Sequence, residues 1–326
     1  MPDMFTVASK EFSDIVRGRR FLILVVVFGL VMTAAVATTY LTGIQAAGVP
    51  GRAGMARGFL GAAGNNLATM IGYFAPIMGL ALGVDAISGE REKGTLKITL
   101  AQPVFRDTVI NGKFLAALFA ISLATGIASL VNIGASVLVL GITPTVEDAA
   151  RFMLFLLFSI LFAMTYYGIA AFLSTVSKKT TQSVIIGVVL WAVFAFVISI
   201  VASVVASALV PISFPRGGFG GNMTRLNPEE LQTFQAAERA RSAITTSISS
   251  VSPNYHFNRI AHYILNIPLY TGFGMGPQTD QPGQTQTTTT VMQSLASAWP
   301  NMLVLTLATV LMFIASYMLF TRQEIR

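Results

Sequence analysis

No cysteine occurs in the 326 residues, so disulfides, thiolate metal sites and cysteine catalysis are excluded together. Charge is scarce as well: Asp, Glu, Lys and Arg make up 11% of the chain, against 54% apolar residues. There are two histidines, His256 and His262, six apart. Helical metal pairs favour a spacing of four, so both are read as packing or surface groups and no metal site is expected. No glycine-rich phosphate loop closing on Gly-Lys-Ser/Thr is present, and Gly89 to Lys93 lacks its spacing. The chain therefore cannot hydrolyse ATP by that route. The net charge of +7 comes without a basic patch interleaved with aromatics, so nucleic acid is not expected as a partner. Glu147 and Asp148 follow Thr145 and read as a capped first turn, not as a paired-carboxylate hydrolase.

What remains is apolar and blocked. The mean hydropathy of +0.69 lies far outside the range of soluble domains. Six runs, at about 21–42, 67–87, 114–140, 152–174, 183–210 and 299–320, reach the ~20 residues that a spanning helix needs. The expected fold is an all-α integral membrane protein with six transmembrane helices. The first run follows twenty mostly amphipathic residues and is too long for a signal core, so no cleavable signal is expected. Six crossings put both termini on one side.

Charge chooses that side. The termini and the segments 88–113 and 175–182 carry thirteen of the twenty-one basic residues, among them Arg17, Arg19, Arg20, Arg91, Lys93, Lys97, Arg106, Lys113, Lys178 and Lys179. The short connections opposite hold Arg52, Arg57 and Arg151 alone. By the positive-inside bias the charged face is cytoplasmic. Residues 43–66, with seven glycines, read as an external loop, and 211–298 as an external insert forming a small, mostly helical lobe. Helix starts within the insert are marked by Asn227-Pro228-Glu229-Glu230 and by Ser252-Pro253-Asn254. The polar stretch 276–290 reads as a surface tether. Asn222-Met223-Thr224 is a sequon, which makes Asn222 a glycosylation candidate.

Two features on the charged face stand out. In residues 1–20, Phe5, Ala8, Phe12, Ile15 and Val16 recur at helical spacing opposite Lys10, Glu11, Asp14 and Arg17, an amphipathic helix suited to the headgroup region. Between the second and third spans, Glu90-Arg91-Glu92-Lys93 is a run of four consecutive charges that cannot lie in hydrocarbon. Glu90 and Lys93 are three apart and can bridge along one helix face, while Gly94 interrupts the helix. Asp85 is the one acid inside a span. It is either a structural ion pair, with Arg91 or Lys93 as local partner, or a gate element. Pro76 should kink the second span.

Ser88-Gly89-Glu90-Arg91-Glu92-Lys93-Gly94-Thr95-Leu96, then Pro103 and Arg106, then Gly112-Lys113, resembles the signature of ABC-2 type permeases. These are the membrane subunits of type V ABC transporters, including the subgroup similar to the nitrous-oxide-reductase maturation permease. Phe105 departs from the usual Ser, and Ile98-Thr99 from the usual second Leu; neither removes a charge or a backbone constraint. Ser252-Pro253 to Phe257 resembles an element before the last span of that subgroup.

The resemblance implies a non-catalytic permease subunit in the plasma membrane of a prokaryote, with no cofactor of its own and with ATP and Mg bound by a partner. The partners implied are two copies of an ABC ATPase subunit, a second permease subunit (identical or paralogous) and membrane lipid. The 88–113 loop would present a coupling helix at 88–100, in which Glu90, Arg91, Glu92, Lys93, Gly94 and Thr95 meet the ATPase. Lys178 and Lys179 would be either a second contact or a positive-inside anchor. The expected activity is ATP-driven export of an amphipathic, lipidic or peptidic substrate, with the second and fifth spans (Met70, Phe74, Met78, Trp191, Phe194, Phe196) lining the path. The alternatives are an ABC mechanotransmitter that acts on an extracellular protein and transports nothing, and an ion-coupled secondary transporter, which would need ionisable residues in several spans.

Overall fold

A computed structural model describes residues 3–47, 64–95, 105–141, 143–211, 228–267 and 290–322. Among them there is no strand. The elements are α1 (Met4–Arg17), α2 (Arg19–Ala47), α3 (Asn65–Gly83), α4 (Ser88–Glu92), α5 (Arg106–Leu140), α6 (Val146–Val176), α7 (Thr180–Ala192), a π-helical turn (Val193–Val197), α8 (Ile198–Leu209), α9 (Pro228–Ser249), α10 (Pro253–Leu265) and α11 (Val291–Arg322). Six helical segments are long and apolar enough to cross a membrane, with α7, the π turn and α8 forming one of them. The loop 48–63, the sequon at Asn222 and the 276–289 stretch lie outside the described residues.

Several spans begin earlier than hydropathy indicates, because caps set a helix start and apolar content does not. α6 opens at Val146, where the Thr145 hydroxyl accepts from the Asp148 amide and the Asp148 carboxylate accepts from the Thr145 amide. That is the capping arrangement expected for Glu147 and Asp148.

α6 is the axis of the bundle, with Phe155, Phe162, Ala163, Tyr166, Tyr167, Ala170 and Ala171 all buried. In lipid, apolar burial does not drive helices together, so close approach and hydrogen bonds must. α3 supplies the approach through Gly79 and Gly83, four apart. A Cβ at Gly79 would lie 2.3 Å from the Ala163 carbonyl oxygen, and one at Gly83 would lie 2.6 Å from the Ala170 Cβ. α11 adds a hydroxyl pair, Thr165 with Thr309 at 2.7 Å, and the Ser316 hydroxyl donates to the Gly168 carbonyl.

The insert, expected as a small external lobe, packs its second described helix into the bundle. Its second helix, α10, is packed among α3, α6 and α11, with Phe257 fully buried and stacked on Phe162 at 4.3 Å. The Tyr166 hydroxyl donates to Asn254. Tyr166 is ten residues, or about 15 Å, from the last residue of α6. The α9–α10 hairpin therefore dips deep into the bundle and returns. Alternating aromatic and polar residues in Asn254–Tyr263 disguise this helix as a surface one, although its apolar face (Phe257, Ile260, Ala261, Ile264) is regular. At the hairpin tip the Ser252 hydroxyl donates to the Phe194 carbonyl (2.9 Å), inside the π turn, where the widened helix leaves a carbonyl available. His256 is held by Asn301 and by the Ser250 carbonyl, a packing role as expected. Where α10 ends, buried Arg151 pairs with Glu147 and donates to the Ile264 carbonyl and the Ser294 hydroxyl, tying α6, α10 and α11 together.

Candidate functional site: the charged end of the bundle

α1, the start of α2, α4 and the start of α5 meet at one end of the bundle. The Arg106 guanidinium reaches the Thr321 carbonyl, so α11 ends there too. α1 lies along α5, and Gly112 permits the approach: a Cβ there would meet the Val7 side chain at 2.7 Å. Phe12 packs edge-on against Phe119. The apolar stripe of α1 thus covers protein as well as facing outward, and Phe5 remains 62% exposed.

Lys113, next to Gly112, is the hub. Its ammonium is 2.9 Å from Glu11 of α1 and 2.5 Å from Glu90 of α4, and its side chain is 6% exposed. One buried cation therefore joins three elements. Burial alone would raise the Glu11 pKa, but the Lys113 charge and hydrogen bonds from Lys10 and Lys113 hold this carboxyl below its ordinary range. A carboxyl depressed in the folded state contributes stability above its unfolded pKa and loses it as pH falls through the folded value. An environment-sensitive dye on a single cysteine at Ser9 should accordingly give constant emission from about pH 8 to about pH 5 and shift only below the carboxylate range. A transition near pH 6 would contradict this pairing.

Glu90 thus turns inward to Lys113, and not along its own helix to Lys93. The five-residue α4 packs against α6 and α7, and from there its Glu90 side chain reaches the buried Lys113 ammonium of α5. Arg91 also turns inward, donating to the Ser177 carbonyl (2.8 Å) and the Thr175 carbonyl (3.3 Å). Its guanidinium satisfies carbonyls left free where α6 ends. Asp85, in the turn between α3 and α4, pairs with Arg20 of α2, so the expected partners Arg91 and Lys93 are replaced. The Ile87 and Ser88 amides both donate to the Ser174 hydroxyl, which fastens the start of α4 to α6.

Glu92, Lys93, Gly94, Thr95, Lys178 and Lys179 are the exposed members of the expected set. Gly94 has φ +73°, the left-handed conformation that glycine adopts without strain, and it turns the chain away from α4. The Ser88 hydroxyl donates to the Thr180 hydroxyl (3.3 Å) across the interval, so Lys178 and Lys179 stand beside α4. Residues far apart in the chain thereby form one charged surface. Leu96, Lys97 and Pro103 lie outside the described residues. Behind the surface, a cavity of about 520 Å³ is lined by Glu11, Arg20, Asp85, Glu90, Lys113 and Tyr167, among others. No cluster of acids and histidines suited to a metal is found among the described residues.

Of the residues expected to line a path, Met78 is buried within the bundle and Phe74 stacks on Phe28. Both pack the protomer itself. Sequence reasoning missed Gly79 and Gly83, although Gly-x-x-x-Gly in an apolar run is a readable signal for close helix contact. It also missed Ser174, for which no local pattern exists.

The probable ABC transporter permease protein NosY of Pseudomonas aeruginosa is 30% identical over 198 residues, covering 60% of this chain and 67% of that protein. The protein of the same description from Stutzerimonas stutzeri is 32% identical over 155 residues, covering 48% of this chain and 51% of its own length. Residues 5–325 match the family model described as ABC-2 family transporter protein. With that match, and with six helical segments among the described residues long and apolar enough to span, this chain belongs to the ABC-2 family and is a multi-pass transmembrane subunit of an ABC transporter.

Proposed function

We propose that the charged end is cytoplasmic and is where an ATPase subunit docks, so that nucleotide-driven closure of the partner drives this chain as a permease. The carrying observation is the division of labour in Glu90–Lys93. Glu90 and Arg91 bind the bundle, while Glu92 to Thr95 face solvent beside Lys178 and Lys179. A load on the exposed edge passes through Arg91 to the α6–α7 corner, and through Glu90 and Lys113 to α5 and α1. Packed helices that shift as rigid bodies then carry it across the membrane. ATP and Mg belong to the partner. Two ATPase copies beneath a pair of permease subunits, identical or paralogous, give a twelve-span assembly. Its cargo is an amphipathic, lipidic or peptidic substrate moved outward, and the exposed apolar face of α7 and α8 is the surface that would meet the second subunit or lipid.

The test is a charge swap restricted to the exposed pair. Glu92→Lys with Lys93→Glu should abolish co-purification of the ATPase and leave thermal stability within about 0.5 kcal/mol, as for surface changes generally. Co-purification at the normal level would overturn the docking assignment.

A second reading, a mechanotransmitter acting on an extracellular protein, is favoured by one observation. The α9–α10 tip is bonded to Tyr166 and Phe194, so motion of the spans reaches α9 directly. ATPase activity of the complex in liposomes separates the two readings. Stimulation by an amphipathic substrate supports transport, and stimulation only by an external protein supports the transmitter.

A further inference from the structure

Thr125, Ser129, Asn132 and Ser136 of α5 follow one another at intervals of four, three and four residues. They form a single stripe about 16 Å long on one helix face. None is more than 1% exposed. The three hydroxyls and the Asn132 Oδ1 have no hydrogen-bond partner in the protein. Other buried hydroxyls of the bundle bond the carbonyl four residues back, as Ser159 does to Phe155 and Thr175 to Ala171. The stripe does not. It faces α2, where the Asn132 amide meets the Met32 Sδ at 3.8 Å, a weak acceptor.

The stripe lies in the half of α5 remote from the charged end. Near that remote end, Asn65 of α3 has an Oδ1 that also lacks a partner, while Asn66 donates to the Ala35 carbonyl (3.1 Å) and to the Thr39 hydroxyl of α2. Asn65 and Asn66 are only partly buried. Ala35 and Thr39 lie three and seven residues beyond Met32 on α2, so polar groups stand on α2 between the far end and the contact with Asn132.

An unpaired buried polar group is costly, and four on one helix face add rather than cancel. Cavities lined by apolar side chains stay dry, whereas a site offering several polar partners holds water. We infer that the α2–α5 seam is a binding site for a file of ordered water, which satisfies Thr125, Ser129, Asn132 and Ser136 and exchanges with the exterior past Asn65 and Asn66. This wet seam lies inside one protomer, apart from the coupling surface, and stands whether or not that surface docks an ATPase.

X-ray hydroxyl-radical footprinting of the full chain in lipid nanodiscs tests it, because radicals generated in bound water oxidise the methionine beside it. Met32 and Met78 are equally buried, at 0% and 2% exposed. Met32 should be oxidised about tenfold faster than Met78 if water sits against it. Asn132→Leu combined with Ser129→Ala should bring the Met32 rate down to that of Met78. Equal rates in the unmodified protein would overturn the inference without recourse to any variant, and so would a fast Met32 that the double substitution leaves unchanged.

Discussion

Leucine at Gly79 is expected to prevent the bundle from assembling, and alanine at Gly83 to damage it severely. The Gly79 Cβ position is met by the Ala163 carbonyl oxygen at 2.3 Å and the Tyr167 amide nitrogen at 2.8 Å. Both are backbone atoms, so no rotamer change relieves the clash. α3 would have to move away from α6 along the whole contact, which includes Gly83 against Ala170 and the Tyr167 carbonyl. Overpacking of this kind costs about 3 kcal/mol or more, at the upper end of its range. Solubilised Gly79→Leu should give no monodisperse peak on size exclusion, and Gly83→Ala a clearly lowered melting temperature. Gly126→Ala, where nothing lies within 4 Å of the added carbon, is the control and should behave as wild type. Normal melting of Gly83→Ala would mean that α3 and α6 do not cross this closely.

Lys113→Met should have the second-largest effect, and a more selective one. It leaves Glu11 and Glu90, with side chains 16% and 21% exposed, facing one another without their shared cation. Removing one partner from a buried ionic group costs about 3 kcal/mol, most of it the penalty on the charges left behind. The loss should appear locally, as release of α1 and failure to retain the ATPase, while the α3–α6 core keeps its protection from hydrogen exchange. The triple variant Lys113→Met, Glu11→Gln, Glu90→Gln should recover much of the stability, since neutral amides are not left as uncompensated charge. It should not recover coupling, because the link from α4 to α1 is gone. Equal destabilisation of single and triple variants would show that Lys113 acts by packing.

The spans, their number and the amphipathic α1 were legible in the sequence because each is a periodicity or a length. Thr145 and Ser252 were legible because capping is local. The charged motif was found as a string, but its geometry was not. Nothing in Glu90-Arg91-Glu92-Lys93 tells that the first two turn inward, since their partners, Lys113 and the 175–177 carbonyls, lie 23 and more than 80 residues away. Asp85 was recognised as a group needing a partner. Arg20 was not identified because it belongs to another helix, 65 residues distant. How the insert packs was not legible for a related reason. Its composition is that of a surface segment, and only contact with Phe155, Phe162 and Tyr166 shows that α10 lies within the bundle.

The most direct measurement of where force enters uses the absence of native cysteine. A single cysteine at Thr95 or at Lys178 can be placed without background and the chain co-expressed with its ATPase. Both positions should form a specific cross-link to the ATPase, with a yield that changes when nucleotide is added, and both should resist a membrane-impermeant maleimide applied to intact cells. Labelling of either position from outside the cell, or the absence of any cross-link in a complex that still hydrolyses ATP, would contradict docking at the edge of α4.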